Sequence, residues 1–119
     1  MRGFDLSGRN LSDLELKNAD LRSANLSGAD LCRANLAEAN LSGADLSGAV
    51  LVDANLREAD VREANLSGAV LTEADLTEAV LVGADLSWAD LSRAEVTDKQ
   101  LAQARSLEGA TMPDGTKHE

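Results

Sequence analysis

Aromatic residues are almost missing from this chain of 119 residues, which has one Phe, one Trp and no Tyr. A globular core of this length draws on ring volume. A hydrophobic fraction of 44%, nearly all Ala, Leu and Val, instead points to a narrow interior that excludes rings. The single histidine, His118, stands next to the last residue, which argues against Ser-His-Asp and Cys-His catalysis. One cysteine, Cys32, excludes an internal disulfide and a cysteine-based metal cluster. It is read as an outward stand-in for Ser in preference to a redox thiol. No apolar run is long enough to span a bilayer, and Met1-Arg2-Gly3-Phe4-Asp5 carries no leader-like apolar segment. A cytoplasmic protein without membrane contact is the expectation.

Positive charge is scarce as well. Eleven Lys and Arg face 21 Asp and Glu, for a net charge of −10. Residues 1–29 balance, residues 30–92 hold three basic against twelve acidic side chains, and none between Arg62 and Arg93 is basic. Direct nucleic-acid binding needs phosphate neutralisation by Lys and Arg, so it is not expected. No P-loop or dinucleotide fingerprint occurs. No catalytic residue, cofactor site or metal site is assigned.

What the chain does have is a five-residue unit: Ala, a polar residue that is mostly Asp or Asn, Leu, then two variable positions. Centres every five residues from Leu6 to Leu101 are Leu except at Val61 and Val96, and Ala precedes by two without a break from Ala19 to Ala94. On an α-helix a step of five turns about 500°, which smears the leucines around the axis. On a flat strand, odd steps put half of them in water. The chain must therefore turn in every unit and return each Leu and Ala to one interior, as a solenoid does.

A second period of twenty sets the size of the coil. Ser7, Ser27, Ser47, Ser67 and Ser87 recur, as do Gly8, Gly28, Gly48 and Gly68, whose series ends at Trp88. Four units per turn predict an all-β, four-sided solenoid of about five coils, with residue n above residue n−20 and a rod roughly 24 Å long at the strand spacing. Gly at the corners suits unusual φ, and Asp or Asn before each Leu suits bonding to nearby backbone.

The A-[DN]-L-x-x array, clearest in Ala24-Asn25-Leu26-Ser27-Gly28 and Ala44-Asp45-Leu46-Ser47-Gly48, resembles the pentapeptide repeat protein family over about residues 4–103. The resemblance implies a right-handed quadrilateral β-helix with Leu and Ala inside. The segment Leu101 to Gly115 resembles the terminal cap of some bacterial, notably cyanobacterial, members.

The chain divides into three stretches: an irregular N-terminal coil or cap at 1–18, a regular body at 19–96, and a C-terminal capping helix and tail at 97–119. Phe4, Arg9 and Leu14 take the Ala slot, and Phe4 and Leu14 are large enough to plug the N-terminal opening. Thr97-Asp98-Lys99-Gln100 spells a capping box, and a short helix is expected to run on to Arg105, with Leu101 and Ala104 covering the last coil. Leu107, Ala110 and Met112 extend that cover, Pro113-Asp114-Gly115 marks a turn, and Lys117-His118-Glu119 is expected to fray.

Two surfaces are candidates for contact. Glu38, Glu58, Glu78 and Asp98 recur every twenty residues and predict an anionic interaction face with rungs about 5 Å apart. Its oxygens do not converge as Ca²⁺ requires. Val50, Val52 and Val70 form a candidate apolar patch, with Val80 and Val82 further round; the competing explanation is the preference of β-branched residues for strand-like backbone. The function these features favour is a non-enzymatic, rigid protein–protein interaction scaffold with a protein partner, as monomer or weak end-to-end dimer. The alternative, implied by the resemblance, is a DNA mimic that inhibits a type II topoisomerase (DNA gyrase) through its acidic surface.

Overall fold

The computed structural model describes all 119 residues. Each unit makes one side and one corner of a coil. At the corner after Leu26, the Ala29 N–H donates to the Leu26 carbonyl at 3.1 Å, and Gly28 between them takes φ +65°. This closes a β-turn that needs positive φ at its third residue. The chain thus changes direction every five residues, and Leu and Ala always face the same interior.

Neighbouring coils are joined on each side by parallel bridges offset by twenty residues, from Asp5↔Asn25 to Asp75↔Glu95. Two bonds carry each bridge. In the bridge Asn25↔Asp45 the Leu26 N–H donates to the Asp45 carbonyl at 2.7 Å, and the Asp45 N–H donates to the Ala24 carbonyl at 2.9 Å. There are no extended strands, because corners occupy the residues between bridges. The β character is one bridged residue per side per coil. Leu and Ala from Leu21 to Ala94 fill the interior with Val61, and no polar or charged residue is buried.

The C-terminal segment departs from expectation in three ways. The helix, α1 (Asp98–Leu101), is a single turn and ends short of Arg105. Its capping box is complete: the Gln100 N–H donates to Thr97 Oγ1 at 3.1 Å, and the Thr97 N–H donates to Gln100 Oε1 at 2.9 Å. Gln100 Nε2 also donates to the carbonyls of Leu76 and Ala79 at 2.8 and 2.9 Å, which stitches α1 to the coil beneath.

Beyond α1 the chain rejoins the coil. Asp85 bridges Ser106 and Asp90 bridges Thr111, so the helical turn has absorbed one extra residue and the offset becomes 21. The tail does not fray at once after the Pro113-Asp114-Gly115 turn. Lys117 pairs antiparallel with Thr111, and the His118 N–H donates to the Ala110 carbonyl at 2.7 Å. This continuation lengthens the rod to 34 Å, with a 23 × 23 Å section.

The N-terminal end is different. Phe4 is 55% exposed and Leu14 44% exposed, and Leu6, Leu11, Leu16 and Ala19 are only half-buried. The large residues expected to plug this opening cover it only in part.

Candidate functional site

The slot before each Leu is spent on structure. Every Asp or Asn there from Asp5 to Asp90 accepts the N–H two residues on. Examples are Asp60 Oδ1 from Arg62 at 3.1 Å, Asn65 Oδ1 from Ser67 at 3.0 Å and Asp90 Oδ1 from Ser92 at 3.0 Å. These bonds recognise the charged form. The Ser92 hydroxyl, then the Ser92 N–H, holds the Asp90 carboxyl below its ordinary value, and the Arg62 guanidinium does the same for Asp60. At Val50, Val70 and Val80 the bond is missing, and the N–H groups of Val52, Thr72 and Val82 have no acceptor within the chain.

All the arginines but Arg2 and Arg9 are spent too. Arg22 pairs with Asp20, Arg33 with Asp13, Arg57 with Asp75, Arg62 with Asp60, Arg93 with Glu73 and Arg105 with Asp85. An open groove of about 600 Å³ contains Arg2, Arg22 and Arg62 around the small residues Ser42 and Gly43. Asp20 and Asp60 neutralise two of those arginines by bidentate bonds, so the groove does not gather positive charge.

Glu38, Glu58 and Glu78 are of another kind. They stand exposed at corners with φ of 59°, 58° and 60°, the left-handed region where an L side chain costs about 1–2 kcal/mol. None makes a hydrogen bond or an ion pair through its carboxylate within the chain. Asp98 does not continue the column as a corner; it is the first residue of α1, where a negative charge favours the helix N-terminus.

Val50 and Val70 are bridged to one another and half-buried, with Val52 half-buried beside them. Val80 and Val82, 40% and 43% exposed, lie on the opposite side, in the columns of Asp60 and Arg62. Cys32 occupies the Val52 column. Burial and then the Asp30 carboxylate push its thiol up.

Sequence reasoning passed over Trp88. It replaces Gly in the column of Gly68, keeps the corner's positive φ at 61° and is 62% exposed. Its ring lies over buried Gly109, where any Cβ would collide with it. The only signal in the sequence was a Trp in a series of glycines.

The model of the family described as pentapeptide repeats matches the chain in eight copies, over residues 1–36, 34–72 and 62–98. Among solved structures, alr5209, a pentapeptide repeat protein from Nostoc PCC 7120, is 35% identical with a TM-score of 0.73, over 87% of this chain and 98% of that one. HetL, a pentapeptide repeat protein involved in heterocyst differentiation regulation in Nostoc sp. strain PCC 7120, is 35% identical over 99% of this chain and 65% of its own, with a TM-score of 0.46. AT2G44920, from the Arabidopsis thaliana thylakoid lumen, is 33% identical over 85% of this chain and 74% of its own, with a TM-score of 0.40. No curated protein matches. No helix is long and apolar enough to cross a membrane.

Proposed function

Because the chain belongs to the pentapeptide repeat family, we propose that it performs no chemistry of its own and serves as a rigid scaffold that holds a protein partner against the Glu38, Glu58 and Glu78 face. One observation carries this reading. These three carboxylates do nothing for the fold, and their corners cost backbone strain that Gly would avoid. The Asp residues before each Leu, by contrast, are tied into turns. A stiff backbone presenting unspent charge loses little entropy on binding and favours a complementary cationic surface. The reading adopts the family's right-handed quadrilateral coil, with α1 and the tail as its cap.

Val50, Val52 and Val70 support a second contact surface. At Val50 and Val70 the turn gives up its Asx bond, a loss of about 0.5–1.5 kcal/mol, and leaves two stacked apolar side chains on the outside of the rod. The topoisomerase-mimic alternative draws less support. A DNA duplex carries one charge per about 1.7 Å, hence roughly 20 along a rod of 34 Å. Residues 30–92, with three basic against twelve acidic side chains, bring less than half of that.

Affinity capture from host lysate tests the scaffold reading, with wild type beside a folded Glu38→Lys, Glu58→Lys, Glu78→Lys variant. A protein held by wild type, lost by the variant and released by raised salt is the expected result. Identical capture by both baits removes the acidic face from the proposal and leaves the valine surface to be tested in the same way.

A further inference from the structure

One corner of the rod carries charges of both signs in a fixed order. Asp13, Arg33, Asp53, Glu73 and Arg93 recur every twenty residues and stand exposed, one per coil. Arg33 holds Asp13 by two bonds of 2.8 and 3.0 Å, and Arg93 pairs with Glu73 at 3.7 Å. Each pair has its acid on the earlier coil and its base on the later one, and the two pairs lie symmetrically on either side of Asp53. Read backwards, the column therefore has the opposite sign at every rung except Asp53. The side of the rod beside this corner holds the valine surface, centred on the same coil. Val50 and Val52 share the coil of Asp53, Val70 lies one coil above and Cys32 one coil below, all half-buried.

We propose that this side docks on the same side of a second copy, forming a two-fold dimer of antiparallel rods whose axis crosses them at the coil of Val50, Val52 and Asp53. Charge selects the register. Asp13 faces the partner's Arg93 and Arg33 faces the partner's Glu73, so on each side of the axis two ion pairs close into a ring of four alternating charges. Shifting the partner by one coil sets Arg33 against Arg93 in one direction and Asp13 against Glu73 in the other. Laying the rods parallel sets Asp30 and Asp90 each against its own copy. The single like pair of the selected register, Asp53 with the partner's Asp53, lies on the axis, with Arg33 of each copy one rung away.

The apolar residues are covered in the same register, since Val50 and Val52 meet the partner's Val50 and Val52. The partner's Asp30 comes to the height of Val70, beside the Thr72 N–H, which has no acceptor within its own chain. At the other edge of the side, exposed Trp88 is set opposite the partner's Gly8, which has open space beside its backbone. Five coils at about 4.8 Å span roughly 24 Å, and with a width of 23 Å they offer about 550 Å² per copy, hence about 1,100 Å² in total, the lower end of a specific interface. Both copies use the same patch, so association stops at two. The corner of Glu38, Glu58 and Glu78 lies on the far side of the 23 Å section, beyond the screening length of about 8 Å at physiological salt. The inference gives the valine surface its partner and is independent of the acidic-face reading, so either can fail without the other.

Sedimentation equilibrium at physiological salt over a concentration series is the test, with circular dichroism to establish that each variant is folded. Wild type is expected to rise from 12.5 kDa toward twice that mass at hundreds of micromolar. Arg33→Glu with Arg93→Glu is expected to dimerise at least about tenfold more weakly. Arg22→Glu with Arg62→Glu makes the same change in net charge at the diagonally opposite corner and is expected to stay within about threefold of wild type. Asp53→Asn removes the like pair on the axis and is expected to tighten the dimer about threefold or more. Hydrogen exchange gives a second readout. The amides of Val52 and Thr72 gain protection as concentration rises, while that of Val82, which also lacks an acceptor but lies at the far corner, does not. A wild-type mass that stays at one chain throughout overturns the proposal. So does association that survives the Arg33 and Arg93 reversals, weakens equally with both pairs of reversals, loosens in Asp53→Asn, protects Val82 in place of Val52 and Thr72, or continues beyond two copies.

Discussion

At the C-terminal end of the rod, Leu101 and Ala110 are fully buried, and the last corners hand their N–H groups to the carbonyls of Gln103, Ser106, Glu108, Thr111 and Pro113. At the N-terminal end, Phe4 and Leu14 stay largely exposed and four backbone residues find no partner. The same repeat builds both ends. The difference lies in the chain beyond the repeat. The C-terminal segment closes its end by breaking the pattern, spending one extra residue in α1 and doubling back. The interior leucines are identical in sequence and unequal in burial, so position along the rod sets what each contributes.

A single substitution, Leu→Asp, placed at three heights separates the regions. At Leu56, in mid-body and 2% exposed, losing the side chain costs ~2–5 kcal/mol, and burying a carboxylate adds to it. Against a total stability of ~5–15 kcal/mol the body is expected to unfold. Leu101→Asp is expected to destabilise strongly while leaving the first coils folded, so exchange should speed up near residues 85–118 before it does near residues 21–50. Leu14→Asp is expected to cost under ~1 kcal/mol. Thermal melts with site-resolved hydrogen exchange rank the three. A Leu14→Asp protein as unstable as Leu101→Asp would mean that the two ends do not differ.

Gly109→Ala probes the capped end alone. The new Cβ meets the Trp88 ring, and φ of +69° is strained for Ala. A loss of ~1–3 kcal/mol is expected, confined in exchange experiments to the C-terminal segment. Trp88→Gly in the same chain, which restores the column of Gly68, should recover the part caused by the collision and leave the part caused by φ. Additive losses in the double-mutant cycle would show that the ring does not rest on Gly109.

Most of this architecture was legible in the residues, for a physical reason. Leu and Ala at every fifth position can share an interior in only one way, and the columns of Ser and Gly fix the offset of twenty. The single helical turn, the shift to an offset of 21 and the pairing of Lys117 and His118 were not legible. They rest on backbone bonds that leave no mark in side-chain pattern. Phe4 and Leu14 showed the volume to fill an opening, but volume does not show whether a further layer holds them inward. For the candidate faces, the column of Glu38, Glu58 and Glu78 could be read, and its place in left-handed corners could not, because Glu is not a residue that favours that backbone. Asp98 shared the spacing and not the geometry, since the chain leaves the coil one residue before it.

The carboxylates near the capped end give a smaller effect, with a definite sign. Asp85 and Asp90, in sides bridged to Ser106 and Thr111, are held below their ordinary values, first by the hydroxyls of Ser87 and Ser92 respectively. A lowered folded pKa means stability that is present above the unfolded value of about 3.9 and is lost as pH falls through the folded one. Melting temperature should therefore fall in acid below about pH 4. In Asp90→Asn, which keeps the bond to the Ser92 N–H without a charge, part of that fall should vanish while the neutral-pH value moves by a few degrees at most. An unchanged acid profile would mean that Asp90 gains nothing from its ionised form.

The smallest expected effect bears on the body, where neither end matters. Glu58→Gly relieves a left-handed corner at φ 58° and removes no bond. The relief is at most about 1–2 kcal/mol, and the greater freedom of Gly in the unfolded chain offsets about 0.5–1 kcal/mol of it. Urea unfolding should therefore show a midpoint equal to wild type or slightly above it, with an unchanged slope. Gly48→Glu makes the reverse change at another corner of the body, at φ 66°, and should cost a similar small amount. If Glu58→Gly instead lost more than about 1 kcal/mol, the carboxylate would be part of the fold, as the Asp residues before each Leu are. Glu58 would then not be free for a partner, and recognition would have to be sought elsewhere on the rod.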